Sequence, residues 1–236
     1  MKELAVILVS GGIDSCVAAA IANLKYELAF LHTNYGQLTQ SKELDSFNKI
    51  ADFYKVNKKL ICDFNWLKEI GGSSLTDPRQ GGDSPLSTTP QKQNIGTIKS
   101  QIPSTYVPFR NANLLGAAVS WAEVIGATKI FIGAVAQDAP QYPDTRPEFY
   151  KIFNELIRVG TKPDTKIKVI APVIYMQKSE VIKLGAKLNA PLHLTWSCYK
   201  SSDLEVKPLA CGECASCKRR LDAYEIAGLK DPINYA

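Results

Sequence analysis

The chain has 236 residues, 45% hydrophobic and 22% charged, enough apolar surface for a substantial core and a composition that excludes wholesale disorder. Its 28 Lys and Arg against 23 Asp and Glu leave a formal charge of +5, compatible with a polyphosphate ligand but too small to argue for nucleic acid. No stretch approaches the roughly 18 consecutive apolar residues of a membrane span. The run Leu4 to Val9 ends in Ser-Gly-Gly without a cleavage-like site, so a cytoplasmic protein is expected.

In chain order, Leu4 to Val9 (LAVILV) reads as a strand buried on both faces of a parallel sheet. After the glycine turn, Asp14 to Leu24 predicts an alanine-rich helix. Glu27 to His32 predicts a second strand, Ser41 to Tyr54 a helix, and Lys58 to Cys62 a third strand. From Gly71 to Pro108 the sequence is dense in Gly, Pro, Ser and Thr without a sustained period, as in a flexible insertion that is either a surface loop or a substrate-covering lid. Regular elements resume with a helix over Asn111 to Ile125, a strand over Lys129 to Gly133, and a helix over Pro147 to Val159 with proline in its first turn. A fifth strand over Lys166 to Ile170 and a helix over Ser179 to Leu188, with Lys178 at its entry, complete the series. Strand and helix alternate, which implies right-handed crossovers and an α/β fold with helices on both faces of a parallel sheet. Composition shifts near 190. The expected organisation is therefore a nucleotide-binding domain over 1–190, with the insertion at 71–108, and a small C-terminal subdomain over 191–236.

The segment Ser10-Gly11-Gly12-Ile13-Asp14-Ser15 lies between a buried strand and the start of a helix. Glycines there allow backbone N–H groups to converge on one anion, and the helix N-terminus adds partial positive charge. Ser10 and Ser15 offer hydroxyls to phosphate oxygens. Asp14 is a natural N-cap and a candidate ligand for Mg²⁺. No Gly-Lys-Ser/Thr follows and no third glycine is present, so neither the Walker A loop nor the dinucleotide fingerprint applies. The pattern SGG-x-DS resembles the PP-loop of enzymes that cleave ATP between its α and β phosphates. That resemblance implies a Rossmann-like PP-loop fold and adenylation with pyrophosphate as leaving group.

Cys211, Cys214 and Cys217 stand at C-x₂-C-x₂-C spacing, with Cys198 upstream. Four thiolates suffice for a closed, structural Zn²⁺ site, one ion per subunit, that would help fold a terminus too small for its own core. An iron–sulfur cluster is the alternative for this spacing. Beside the cluster, Lys218, Arg219 and Arg220 suggest a solvated helix face, since Cys198 to Ala236 holds six Lys/Arg against six Asp/Glu.

Tyr35-Gly36-Gln37, Val107-Pro108-Phe109-Arg110-Asn111, Tyr142-Pro143-Asp144-Thr145-Arg146-Pro147-Glu148-Phe149, Leu194-Thr195-Trp196-Ser197-Cys198-Tyr199 and the CGECASC run complete the set of motifs. Together with SGG-x-DS they resemble the 7-cyano-7-deazaguanine synthase (QueC) family over essentially the whole chain. The resemblance implies that 7-carboxy-7-deazaguanine, ammonia and ATP yield 7-cyano-7-deazaguanine, AMP and pyrophosphate through an adenylated carboxylate and then an activated amide. It also implies a homodimer, a role in queuosine biosynthesis, and no direct grip on nucleic acid or membrane. By resemblance, ATP is bound by Val9, Ser10, Gly11, Gly12, Ile13, Asp14, Ser15, Cys16, Val17, Ala18 and Ala19, and zinc by Cys198, Cys211, Cys214 and Cys217. Chemistry adds Arg110 and Lys178 as cations to neutralise phosphate charge, with Asp14 and Ser15 beside them in the catalytic set. Asp138, Tyr142, Asp144, Arg146 and Glu148 are candidates to orient the deazaguanine or a metal ion.

The chain departs from the family at Leu38 and Thr39, where Arg and His are frequent, at Phe109, where Gly is common, and at Thr145, where Cys is common. Two other readings stay open: a PP-loop enzyme that adenylates a tRNA base for thiolation, with Cys16 as its one nearby thiol, and a non-catalytic zinc module that binds RNA or protein.

Overall fold

The computed structural model describes residues 2–77, 79, 102–136, 142–200 and 209–236. Most of the 71–108 insertion and the candidate Asp138 lie outside the described residues. The elements run β1 (Leu4–Leu8), α1 (Ile13–Asn23), β2 (Glu27–Asn34), α2 (Gln40–Phe53), β3 (Lys58–Asp63), α3 (Trp66–Ile70), α4 (Arg110–Ile125), β4 (Lys129–Ile132), α5 (Pro147–Gly160), β5 (Lys168–Ile170), α6 (Lys178–Lys187) and α7 (Ala215–Ala227). All five predicted strands and the helices between them are present. The short α3 lies in a segment too brief to show a helical period.

The strands form one parallel sheet in the order β3-β2-β1-β4-β5. β1 is central, and its unbroken apolar sequence follows from being covered twice. Ala5, Ile7 and Val9 pack into one layer with α1, α2 and α6, while Val6 and Leu8 pack into the other with α4 and α5. Helix α7 joins the first layer through Ala223, Tyr224 and Ala227.

From the central strand the chain runs outward first to β2 and β3, and later to β4 and β5 on the other side. The crossovers therefore diverge between β1 and β4. A crevice opens there beyond the carboxyl ends of the strands, the usual ligand position in an open parallel sheet. The Ser-Gly-Gly loop leaves β1 at this place, in register with the end of β4, where Leu8 pairs Ile132.

The basic run on α7 is the solvated face its composition suggests in two of its three residues. Arg220 is buried, with 1% of its surface exposed, while Lys218 and Arg219 face solvent. The Arg220 guanidinium donates to Asp231 through Nε at 2.7 Å and Nη2 at 3.0 Å, and to Thr195 Oγ1 at 2.9 Å. Its position on α7 gives no hint of this in the sequence, because its partner Asp231 comes from the tail that folds back after the helix.

A buried pair loses most when one partner is removed, since the other charge is left without compensation. Arg220→Met is expected to destabilise the fold by about 3–5 kcal/mol, read by urea unfolding. The double variant Arg220→Met/Asp231→Leu should recover most of that loss. Equal losses in the single and double variants would contradict an origin in the stranded carboxylate.

Candidate active site at the sheet switch point

The loop after β1 is held from three sides. Gly11 has φ +86°, and a Cβ there would stand 2.7 Å from the Glu43 carbonyl oxygen and 2.9 Å from Ser46 Cβ on α2. From the C-terminal side, Trp196 N–H donates to the Gly11 carbonyl at 2.9 Å. Gly133, just past β4, approaches so closely that a Cβ would meet the Ser15 amide nitrogen at 2.5 Å. These contacts leave no room for a side chain at either glycine. They keep the start of α1 open toward the crevice as a backbone cradle for an anion.

Within the loop, Ser15 Oγ donates to the Gly12 carbonyl at 3.0 Å and accepts from Ser10 Oγ at 3.3 Å. Gly12, not Asp14, is the N-cap of α1, and Asp14 sits in the first helical turn. The Asp14 side chain turns to α6, where Lys178 Nζ meets its Oδ2 at 2.5 Å across 164 residues of sequence. Its other oxygen, Oδ1, is buried and accepts no hydrogen bond. Lys178 is only partly exposed, at 36%, so it is not a plain surface lysine.

Two cavities meet over the loop. One, of about 200 Å³, lies directly on it, lined by Ser10, Gly12, Asp14, Lys178, Trp196 and Ser197 among others. The second, of about 280 Å³, has an apolar floor of Leu8, Leu31, Leu114 and Ile132, with Arg110 and Tyr35 on its wall. The two cations singled out in the sequence are thus divided between different chambers, Lys178 over the loop and Arg110 over the apolar floor.

Arg110 opens α4, and its Nη1 donates to Tyr35 Oη at 3.1 Å with the guanidinium 5.4 Å from the ring centre. It is presented by Phe109, whose φ of +56° puts it in the left-handed region. That region disfavours a side chain by roughly 1–2 kcal/mol, which accounts for glycine being common there in the family this sequence resembles. The Phe109 ring is 62% exposed, so the substitution meets strain but no clash.

The Tyr35-Gly36-Gln37 motif is a turn organised by Gln37. Its Oε1 accepts from Tyr35 N–H at 2.8 Å, and its Nε2 donates to Glu43 Oε2 at 3.1 Å. Thr39, at a position where histidine is frequent, donates through Oγ1 to Glu43 Oε1 at 2.6 Å. Both oxygens of Glu43 are therefore fixed, and burial holds its carboxyl above the ordinary carboxylate range against the opposing pull of Thr39, Gln37 and Arg110. Sequence reasoning passed over Glu43. Its only local signal is the helical spacing from Thr39, which many surface helices share.

The remaining candidates are distributed differently. Asp144 is buried, its Oδ2 accepting from Asn111 N–H at 2.8 Å, which ties the first turn of α4 to the 143–145 turn. Thr145 lines the larger cavity and donates to the Tyr142 carbonyl at 2.7 Å. Tyr142 pairs edge-on with Tyr106 and meets Thr105 Oγ1 at 2.5 Å, whereas Arg146 and Glu148 face solvent at the start of α5. Cys16 points into the core rather than the loop cavity, and burial pushes its thiol up to about 12, so it stays protonated and packed.

The Sγ atoms of Cys198, Cys211, Cys214 and Cys217 lie within 4.8 Å of one another. Backbone N–H groups of Lys200 and Cys211 point at Cys198 Sγ at 3.3 and 3.4 Å, and that of Cys214 at Cys211 Sγ at 3.3 Å. Donors aimed at sulfur favour thiolates, the form a metal needs, so the four residues fit a metal ion such as zinc. The cluster sits beside Trp196, whose indole donates to the Cys198 carbonyl at 2.9 Å while its backbone holds Gly11. The cysteine cluster and the loop geometry are linked through this one residue.

Against known proteins, the family described as queuosine biosynthesis protein QueC matches residues 4–228. A 7-cyano-7-deazaguanine synthase of Chloroherpeton thalassium is 52% identical over 232 residues, covering 98% of this chain and 96% of that protein. One from Chlorobium phaeobacteroides is 51% identical over 235 residues with the same coverage. A solved NAD+ synthetase from Burkholderia pseudomallei aligns with 15% identity and a TM-score of 0.42, over 93% of this chain and 66% of that one.

Gly133→Ala is expected to push β4 and the Ser15 amide apart, because the clash is with backbone that cannot rotate away. ATP affinity by calorimetry should fall by tenfold or more, about 1.4 kcal/mol, while the thermal transition stays cooperative. An unchanged affinity would show that the β4 contact does not set the loop.

Proposed function

Because the chain belongs to the QueC family of queuosine biosynthesis proteins, we propose that it is an ATP-dependent C–N ligase converting 7-carboxy-7-deazaguanine and ammonia to 7-cyano-7-deazaguanine. The observation that carries this reading is the meeting of two chambers over one backbone cradle. Ser10, Ser15, Glu43, Gly133 and Tyr199 line both. A nucleotide in one and a flat heteroaromatic acid in the other would bring an α-phosphorus and a carboxylate together at the shared rim.

A carboxylate is a poor electrophile near neutral pH. Attack of its oxygen on the α-phosphorus releases pyrophosphate and makes AMP the leaving group of an acyl-adenylate. Ammonia displaces AMP to give the amide, whose oxygen then attacks a second α-phosphorus. Loss of AMP and of the nitrogen's protons closes the nitrile, so the amide oxygen leaves on AMP.

In this reading the Val9–Ala19 segment grips the phosphates, and Lys178, fixed by Asp14, offsets charge on the departing pyrophosphate. Arg110 attracts the substrate carboxylate or its adenylate from the other chamber. The unpartnered Oδ1 of Asp14 supports a role as Mg²⁺ ligand; bound there, the ion would neutralise phosphate charge. Asp144, tied to α4, acts by fixing Arg110 in place. Tyr142, Arg146 and Glu148 are assigned to orienting the deazaguanine, together with Asp138, which lies outside the described residues.

Cys198, Cys211, Cys214 and Cys217 would hold one structural Zn²⁺ per subunit, whose chemistry is a cross-link and no more. Free thiols as ligands suit a reducing cytoplasm. A homodimer accords with the exposed row Ile152, Leu156 and Val159 along α5.

Incubation with ATP, ammonium and 7-carboxy-7-deazaguanine should yield the nitrile with AMP and pyrophosphate by mass spectrometry; ADP in place of AMP would refute the reading. Asp14→Ala should abolish pyrophosphate release without loss of helical content by circular dichroism. Cys214→Ser should lower zinc by elemental analysis and the melting temperature together, and full zinc content in that variant would remove the cysteines from the metal site.

A further inference from the structure

Making a nitrile from a carboxylate requires protons to leave nitrogen, and something at the reaction centre has to take them. This requirement rests on the reaction proposed above. The centre is the rim shared by the two chambers, and among its five residues Glu43 is the only carboxyl. The others offer two serine hydroxyls, a glycine and the Tyr199 phenol, and a phenol with an ordinary pKa near 10 stays protonated at neutral pH. Of the two chambers Asp14 lines the loop chamber and not the apolar-floored one, and it is engaged by Lys178, while Asp144 is occupied by the first turn of α4.

We propose that Glu43 is the catalytic base of this enzyme, accepting the protons that leave nitrogen in both amide formation and nitrile formation. In the first stage, an N–H bond of the incoming ammonium breaks toward the Glu43 carboxylate. The freed electron pair forms the C–N bond, and the C–O bond to AMP breaks with its electrons on the phosphate. That proton passes to water, and the restored carboxylate takes a second proton from the newly bonded C–NH₃⁺ nitrogen, which leaves the neutral amide. In the second stage, with AMP on the amide oxygen, Glu43 takes one N–H proton, passes it to water, and then takes the second as the last N–H bond breaks. That electron pair completes the C≡N bond as the C–O bond to AMP breaks. No oxidant or further reactant is required.

The surroundings suit this work. Thr39 and Gln37 each donate to one oxygen, so the carboxylate is held in one orientation toward the rim. Arg110 and Tyr35 face it from the apolar-floored chamber, Tyr199 from the C-terminal segment, and Asp14 with Lys178 from the loop chamber. Burial disfavours the charged form, which makes the group a stronger base than a surface carboxylate. A base must be ionised to act, so activity should fall on the acid side, through a pKa above the usual carboxylate range.

The test compares wild type, Glu43→Gln and Glu43→Asp in two assays. One is ATP–pyrophosphate exchange dependent on 7-carboxy-7-deazaguanine, which needs adenylation but no nitrogen. The other is single-turnover formation of amide and nitrile with ammonium, across pH. Glu43→Gln is expected to keep the exchange, lose about 10²–10⁴-fold in nitrile formation, and lose the acid limb of the pH profile. Glu43→Asp should restore part of the rate and the limb. The proposal is overturned if Glu43→Gln makes nitrile at the wild-type rate. It is overturned equally if exchange and nitrile formation fall together in both variants, as a purely structural role of Glu43 in the loop would produce. Acid-dependent exchange by wild type with no nitrile would instead overturn the assigned reaction, and the role of Glu43 with it.

Discussion

The site depends on the contact between the end of β4 and the first turn of α1. Gly133 lies where any Cβ would strike the Ser15 amide, so the backbone after β4 serves as one wall of the anion cradle. That wall exists because β4 is the neighbour of β1 in the sheet, on the side opposite β2. With the loop pressed from the other side by α2 against Gly11, the free N–H groups at the start of α1 have one direction left to face. The cavities, their linings and the chemistry proposed for them follow from this geometry.

Charge is arranged around the cradle in a way that separates tasks. Lys178 stands over the loop and is fixed by Asp14, whereas Arg110 stands over an apolar floor and leans on Tyr35. In the proposed reaction, a cation near the departing phosphates and another near the acid being activated would act on opposite ends of one transfer. Between them Glu43 is half-buried and tied down by Thr39 and Gln37. The Tyr-Gly-Gln motif, whose purpose is opaque in one dimension, thereby becomes a bracket for a carboxyl group.

The C-terminal segment is less an appendage than a clamp. Trp196 bonds the loop through its backbone and the cysteine cluster through its indole. Arg220 pins the same segment by donating to Thr195 on one side and Asp231 on the other. Four thiols gathered within 4.8 Å would, with a metal ion bound, give the segment a cross-link that its few apolar residues cannot supply. Loss of metal would therefore be felt at Gly11, through two residues of chain.

Much was legible in the sequence because the signals were local. The doubly buried β1 shows as an unbroken apolar run, the tight turn after it as glycines between strand and helix, and the gathered thiols as cysteines at short spacing. The alternation of strands and helices limits the sheet to parallel crossovers. What the sequence left undecided were facts about pairs far apart in the chain: Asp14 with Lys178, Arg220 with Asp231, Gly133 with Ser15, and Glu43 at a rim built from four segments. A lysine or arginine carries the same charge whether it is solvated or buried, and a helical glutamate looks the same on either face. Only the order of strands in the sheet and the return of the tail decide which of them lose water and gain a partner, and a single residue's neighbours along the chain hold no record of that choice.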